Sequence, residues 1–550
     1  MKIHLKLLSS LEKVFSLKKV EGKAIEYLSI LNNETASFQA AYALEDAGVQ
    51  APYVTFEVRS PISDFVRVRR VRQVPVGLAT FADADENYLS HTGGLYPDLL
   101  DEIGPHGLRA WPGQWQALWL DVDGKDLRPG RYTITLRLGV EGESAFEERS
   151  LCLEVIGAQL AAQRLIHTKW LHTDCLAQYY AVAIFSEEYW RITENFVRAA
   201  TRRGINMILT PIHTPPLDTR VGGERPAVQL VDIALSAGQY RFGFEKLDRW
   251  IDMCQRAGAR YFEMAHLFTQ WGANYTPKII SKVDGEQKRI FGWDVRADDP
   301  RYKDFLDAYL PALTAHLKKA GVADRCYFHI SDEPESAHLE SYRLAKSLIE
   351  KHLEGFDIID ALSDFSFYQQ GVVKKPVCAN NHIEPFIQAK VPGLWTYYCT
   401  GQYKRVSNMF MSMPSARNRI LGIQLYLYNI EGFLHWGYNF YNAQYSDYPI
   451  NPYLVTDADG FVPSGDPFQV YPGAGGVPEE SIRMMVTAQA IYDLRALETL
   501  EALCGREHVV ALIDRMAGMR ITFENYPASA DFILSLREEV NRQIAQQKRG

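Results

Sequence analysis

At 550 residues, with 47% hydrophobic and 23% charged residues, the chain has the makeup of a soluble globular protein built from two or three units. Its net charge of −8, with no long basic run, argues against nucleic acid as a partner. No apolar segment reaches the length of a membrane span, and Lys2, Lys6, Glu12 and Lys13 interrupt the first residues where a signal peptide would be apolar, so the expected location is the cytoplasm.

From residue 1 to about 160, short alternating segments are split by turn residues: KIHLKLL, FVRVRRV at 65–71, WQALWLDV at 115–122, RYTITLRLGV at 131–140 and RSLCLEV at 149–155. Tyr132, Ile134 and Leu136 face one way and Thr133, Thr135 and Arg137 the other, as in a half-buried strand. Strand after strand without a helix between them predicts an N-terminal antiparallel β-sandwich, and no acid–base constellation falls inside it.

Beyond residue 161 the period changes to helix, glycine, strand. EEYWRITENFVRAATRRG leads into INMILTP, EKLDRWIDMCQRAG into YFEMAHL, and DFLDAYLPALTAHLKKAG into CYFHIS. Basic residues occupy each last helical turn, and Gly204, Gly258 or Gly321 follows, as the helix dipole and a left-handed cap require. With LIHTKWL at 165–171, FDIIDAL at 356–362, KPVCAN at 375–380, LWTYY at 394–398 and GFLHWGYN at 432–439, the strands number eight. SARNRILGIQLYLYNIEG is expected as a helix closed by Gly432, the stretch to about 477 with its GAGG as a flexible loop, and ESIRMMVTAQAIYDLRALETL as the last helix of the repeat. The predicted class is α/β: a (β/α)8 TIM-like barrel over 161–500, after the sandwich at 1–160 and before a helical extension at 501–550. The seven cysteines are scattered with no CxxC pair, which predicts free buried thiols in a reducing compartment.

In such a barrel ligands sit at the carboxyl ends of the strands. Those ends carry Trp170, His172 and Asp174, then His213, His266 with Trp271, Asp364, Asn380 and Asn381, Tyr397 and Tyr398, and finally His435, Trp436, Tyr438 and Asn439. Rings that suit pyranose faces, beside amides and acids that suit hydroxyls, read as a sugar site. Its candidate substrate-binding residues are Trp170, His172, His266, Trp271, Asp364, Asn380, Tyr397, Tyr398, Trp436, Tyr438 and Asn439. A lone histidine such as His213 or His266 is more often a satisfied structural group, and Trp436 could equally be barrel core. No HExxH, EF-hand, GxGxxG or Walker spacing occurs, so neither a metal nor a cofactor is expected.

The fourth strand runs into two adjacent carboxylates, in CYFHISDEPES at 326–336. Desolvation and mutual repulsion at Asp332 and Glu333 raise at least one pKa towards the range in which a general acid works at neutral pH. The plainer alternative is that they cap the following helix. Pro334 biases Glu333 towards an extended backbone. Successive residues of a regular strand point to opposite faces, so both acids reach one ligand only if the strand has ended or bulged at Asp332.

HISDEP at 329–334, GFLHWGYN, the set Tyr471, Pro472, Ser481, Ile482 and Arg483, and SSLEKVF at 9–15 together resemble glycoside hydrolase family 123 and the broader domain-of-unknown-function family 4091, over most of the chain. The resemblance implies a metal-free, exo-acting β-N-acetylgalactosaminidase that works by substrate assistance. Glu333 would be the general acid and then the base. Asp332 would hold the N–H of the substrate's 2-acetamido group, whose carbonyl oxygen attacks the anomeric carbon to give an oxazoline with net retention. By position, Tyr397 or Tyr398 would donate to the acetamido oxygen, and Trp436 or Trp271 would wall that pocket.

Two alternatives stand beside this. One is a conventional retaining glycosidase with Glu333 as acid/base and Asp364, Glu263 or Glu431 as nucleophile. The other is a non-catalytic carbohydrate-binding protein. The expected partner is a small oligosaccharide or glycoside, with no nucleic acid and no membrane, and a homo-oligomer is compatible with the sequence.

Overall fold

The computed structural model describes residues 2–45, 51–104 and 107–548. The N-terminal strands build two sheets. In the first, Lys2–Ser9, Thr35–Glu45, Gln116–Asp123, Val66–Val76 and Gly94–Glu102 lie side by side, all antiparallel. The second runs Tyr27–Asn32, Phe146–Gln159, Gly130–Val140, Tyr53–Arg59, Leu108–Arg109, and its first pair is parallel. Leu5, Phe38 and Leu120 of one sheet and Ile134, Leu136 and Leu153 of the other share one apolar core. Alternation along Gly130–Val140 buries Ile134, Leu136 and Leu138 and leaves Thr133 outside.

The first sheet is not made by the N-terminal segment alone. Val470–Pro472 and Pro478–Ser481 form a hairpin that extends it, with Glu480 opposite Leu100 and Ser481 opposite Leu99. The loop expected up to about residue 477, GAGG included, is therefore partly sheet. The pairing ties the C-terminal half to the N-terminal one.

The eight predicted strands occur as Ile166–Lys169, Met207–Thr210, Tyr261–Met264, Cys326–Phe328, Asp357–Leu362, Lys375–Ala379, Trp395–Tyr397 and Gly432–His435. They close an all-parallel barrel in that order, the last pairing with the first. The (β/α)8 TIM-like expectation does not describe the result, because the architecture is this barrel together with several antiparallel sheets. Asp232–Ser236, Gln239–Gly243, Ile279–Val283 and Glu286–Phe291 interrupt the alternation with a four-stranded sheet of their own. The helices after the fifth and sixth barrel strands shrink to Ser366–Gln369 and Glu384–Gln388. The physical reason lies in the spacing, since few residues separate FDIIDAL, KPVCAN and LWTYY, and a full crossover helix does not fit between them.

Long helices form where the amphipathic stripe is long. Glu187–Arg202, Glu245–Arg256 and Pro300–Lys319 precede Gly204, Gly258 and Gly321, which take φ of 86°, 100° and 69°. Gly432 plays another part than the predicted cap. Its helix is split into Ser415–Arg419 and Leu421–Leu427, and Gly432 opens the eighth strand, where a Cβ would meet the Trp395 ring at 2.0 Å. Inside the barrel Met207, Leu209, Ile359, Val377, Trp395 and Leu434 pack together. After Ile482–Cys504, helices Arg506–Ala517 and Ala530–Gln547 complete the chain, and Arg537 of the last bonds Asp493 and Glu34. Among the described residues no helix is long and apolar enough to cross a membrane.

Candidate active site

A cavity of about 750 Å³ lies at the carboxyl ends of the barrel strands. Trp170, Ala361, Tyr397 and Leu434 reach it from the strands or their ends, and the following loops contribute Asp332, Glu333, Trp271, Asp364 and Trp436. The two adjacent carboxylates are thus brought to one cavity.

The backbone explains how. The fourth strand is regular only to Phe328, after which the chain is stitched between its neighbours: Leu267 N–H donates to the His329 carbonyl, Phe268 N–H to that of Ile330, and Trp271 N–H to that of Asp332 at 3.0 Å. Glu333 N–H then donates across to the Ala361 carbonyl at 3.1 Å, and Glu333 adopts φ of 44°. The extended backbone that Pro334 favours for Glu333 is therefore not what forms. A left-handed turn at a glutamate is strained, and it breaks the two-faced alternation that would have sent Glu333 away from Asp332.

Glu333 Oε1 accepts a hydrogen bond from the Tyr397 hydroxyl at 2.7 Å and a weak one from the Cys399 thiol at 3.7 Å. Burial pushes the Glu333 carboxyl up; these two donors oppose the rise, and the charges of Asp466 and Glu335 add to it. Asp332 is raised well above the usual carboxylate range, by burial first and by its neighbour Glu333 second, with His329 acting against the rise.

Behind the pair lies a buried ionic cluster. His329 uses Nε2 towards Glu263 at 2.7 Å and Nδ1 towards Asp360 at 3.2 Å, and all three side chains are fully buried. Burial alone would strip His329 of its proton, but the two carboxylates outweigh it and push its pKa up to about 9. Glu263 also accepts from the Trp170 indole N–H at 2.7 Å, which fixes that ring at the cavity, while Asp360 accepts from the Ile330 N–H and the Tyr342 hydroxyl. His266, His329 and Asp360 have ligand-type atoms within 4.8 Å of one another. Both nitrogens of His329 already serve carboxylates, and His266 stacks on it with ring centroids 4.1 Å apart, so the trio reads as an ion-pair cluster with a stacked ring.

Of the predicted substrate-binding residues, Trp170, Trp271, Asp364, Tyr397 and Trp436 line the cavity, whereas His172, His266, Asn380, Tyr398, Tyr438 and Asn439 do not. Asn439 clamps His172 by both main-chain groups, and the His172 ring is held between Arg225 and the Trp436 carbonyl. Asn380 donates to the Ser407 carbonyl, Tyr438 to that of Phe196, and Tyr398 faces Asn418. These five hold strand ends in place, while neither ring nitrogen of the buried His266 has a hydrogen-bond partner. Tyr397 itself faces Glu333, where an acetamido contact had been expected. Of the alternative nucleophiles, Glu263 is locked in the ionic cluster, Glu431 pairs with Lys375, and Asp364 alone lines the cavity, where its Ser336 hydrogen bond lowers its pKa.

Sequence reasoning missed Cys399, Asp218, Gln270 and Asp466. Cys399 follows the seventh strand and was within reach of the strand-end rule, but its chemistry suggested a buried thiol. Asp466 bonds Thr400, His435 and the Trp436 indole, and it sits with Asp218 in long loops that carry no periodic signal.

The sequence matches the family model described as glycoside hydrolase 123, catalytic domain, over residues 170–500. No curated protein matches. Among solved structures, a family 123 glycoside hydrolase from Clostridium perfringens, studied for glycolipid glycan hydrolysis, superposes with a TM-score of 0.75 at 15% identity, covering 100% of this chain and 98% of that one. At that identity the likeness is one of fold. A Parabacteroides merdae β-glucuronidase reaches a TM-score of 0.28 at 12% identity over 84% of this chain and 51% of its own, which is too loose to support an argument.

Proposed function

This chain belongs to glycoside hydrolase family 123, and we propose that it removes a terminal β-linked N-acetylhexosamine, N-acetylgalactosamine first, with retention of configuration. The observation that carries the reading is the convergence of Asp332 and Glu333 on one cavity, made by the left-handed turn at Glu333. Burial and mutual repulsion leave the pair sharing one proton; carried by Glu333, it is donated to the glycosidic oxygen, and the ionised Glu333 then takes one from the incoming water. Asp332 accepts the acetamido N–H and stabilises the positive charge that develops as the acetamido oxygen attacks C1. The nucleophile belongs to the substrate, so no protein carboxylate across the ring is required.

Trp170, Trp271 and Trp436 are the sugar platforms. Tyr397 orients Glu333. The seven cysteines are all unpaired, which supports a reducing compartment such as the cytoplasm and substrates in the form of small glycosides.

The conventional retaining mechanism has one observation in its favour, the ionisable Asp364 on the cavity wall. A thiazoline mimic of the cyclised intermediate separates the two, since it inhibits the substrate-assisted enzyme strongly and the conventional one not at all. Nitrophenyl glycosides with and without the 2-acetamido group test the rest. The expected result is cleavage of the acetamido sugars alone, and equal cleavage of the plain hexosides would sink the proposal.

A further inference from the structure

Five carboxyl side chains, Asp218, Asp332, Glu333, Glu335 and Asp364, line the cavity, and among the described residues lining it there is no lysine or arginine. Arg225, whose charge reaches Asp218, is buried and already engaged: it bonds both oxygens of Asp174, at 2.8 and 2.7 Å, and the Leu217 carbonyl at 3.0 Å.

The wall formed by Asp218 and Gln270 has a second feature. Asp218 N–H donates to Gln270 Oε1 at 2.6 Å, and the Asp218 carbonyl accepts from the Ser446 hydroxyl at 2.7 Å, so this residue, with φ of 39°, is pinned from both sides. Asp218 Oδ2 and Gln270 Nε2 have no protein partner but are both buried within the wall, and the Tyr445 backbone N–H bonds the Asp218 carboxylate.

We infer that the cavity admits an uncharged terminal sugar and turns away sugars bearing sulfate, phosphate or carboxylate groups, with Asp218 as the specificity-determining residue. An anionic substituent would meet like charge in a partly desolvated space, with none of the guanidinium or ammonium groups that bind oxyanions. Burial, with Asp447 adding and Arg225 opposing, raises the Asp218 pKa to about 6, so the residue is mostly ionised at neutral pH and its repulsion fades as the medium is acidified, where the cavity-lining His382 also gains charge. The inference rests on the proposed glycosidase reading for the identity of the sugar, but not on its retaining chemistry.

The test is calorimetric binding of N-acetylgalactosamine and of its 6-sulfate to the unmodified chain, beside kcat/KM for the matching methylumbelliferyl glycosides. The sulfated sugar is expected to bind at least about tenfold more weakly, with a gap that narrows as salt is raised. Asp218→Asn should lift the sulfated-to-neutral ratio by about threefold or more. If that variant does not fold, the two-sugar comparison on the unmodified chain decides alone. Equal or tighter binding of the sulfated sugar, failure of the neutral sugar to bind, or a ratio unmoved in folded Asp218→Asn overturns the inference. Loss of the substrate-assisted reading alone would show in the turnover data, with binding selectivity intact.

Discussion

Two regions of this molecule bury carboxylates, and they treat them in opposite ways. Where the N-terminal sheet meets the barrel, Glu480 lies between Arg69, at 2.6 Å, and Arg203, at 2.9 Å, while Asp98 receives both arms of Arg483 and the Tyr471 hydroxyl. Burial would raise Glu480, but the charges and hydrogen bonds of the two arginines reverse the shift and hold its carboxyl far below the usual range. At the cavity, Asp332 and Glu333 meet burial and like charge, and their pKa values go up. The same side-chain chemistry is thus held ionised where opposite charge surrounds it and pushed towards the neutral acid where it does not.

The sharpest way to break this contrast is a pair of isosteric changes. Glu333→Gln should lower kcat on a poor leaving group by about 10²–10⁴ while leaving the thermal midpoint unchanged or higher, since it removes an acid whose ionisation burial opposes. Glu480→Gln should do the reverse, costing about 3–5 kcal/mol of stability by leaving Arg203 uncompensated and Arg69 with Asp121 alone, with kcat per folded molecule retained. Denaturant melts and steady-state assays on both variants read this out, and a Glu480→Gln enzyme that is inactive yet fully stable would erase the division. Asp332→Asn comes next, with an expected loss of about 10²-fold in kcat for acetamido substrates.

Stability against pH sharpens the comparison, because the two regions carry opposite signs. The Glu333 pKa is raised by folding, so its ionised form penalises the native state as pH climbs from the ordinary carboxylate range through the raised value. Glu480 is lowered, so its contribution is present above the ordinary range and is lost as pH falls towards the lowered value. Melts across pH should therefore show Glu333→Gln flattening the neutral side of the stability profile and Glu480→Gln flattening the acid side.

The smallest expected effect is at Tyr397. Its hydroxyl holds the Glu333 pKa down, so Tyr397→Phe should move the alkaline limb of kcat/KM upward by about half to one pH unit. A limb that stays in place would mean that this hydrogen bond is not kept in the working enzyme.

How much of this was legible in the chain differs from residue to residue. Alternation and helix caps located all eight barrel strands, since hydrophobic period and glycine placement are local properties. The strand-end rule brought Trp170, Trp271, Tyr397 and Trp436 to the cavity but not Tyr398, whose hydroxyl points to Asn418 because neighbouring strand residues alternate. His172 and Asn439 have the chemistry of ligand contacts and turned out to clamp each other, a pairing across 267 positions of sequence.

The sequence by itself determined the acids, the aromatic residues around them and the strands that present them, because composition and short-range periodicity are written in order along the chain. Only the tertiary structure decided that Glu333 turns back beside Asp332, that the hairpin at 470–481 completes an N-terminal sheet, and that Asp218 reaches the cavity from a loop. Those outcomes depend on hydrogen bonds and packing between segments far apart in the chain. No local pattern encodes them, because the partner that fixes each backbone angle or sheet edge is supplied from elsewhere in the fold.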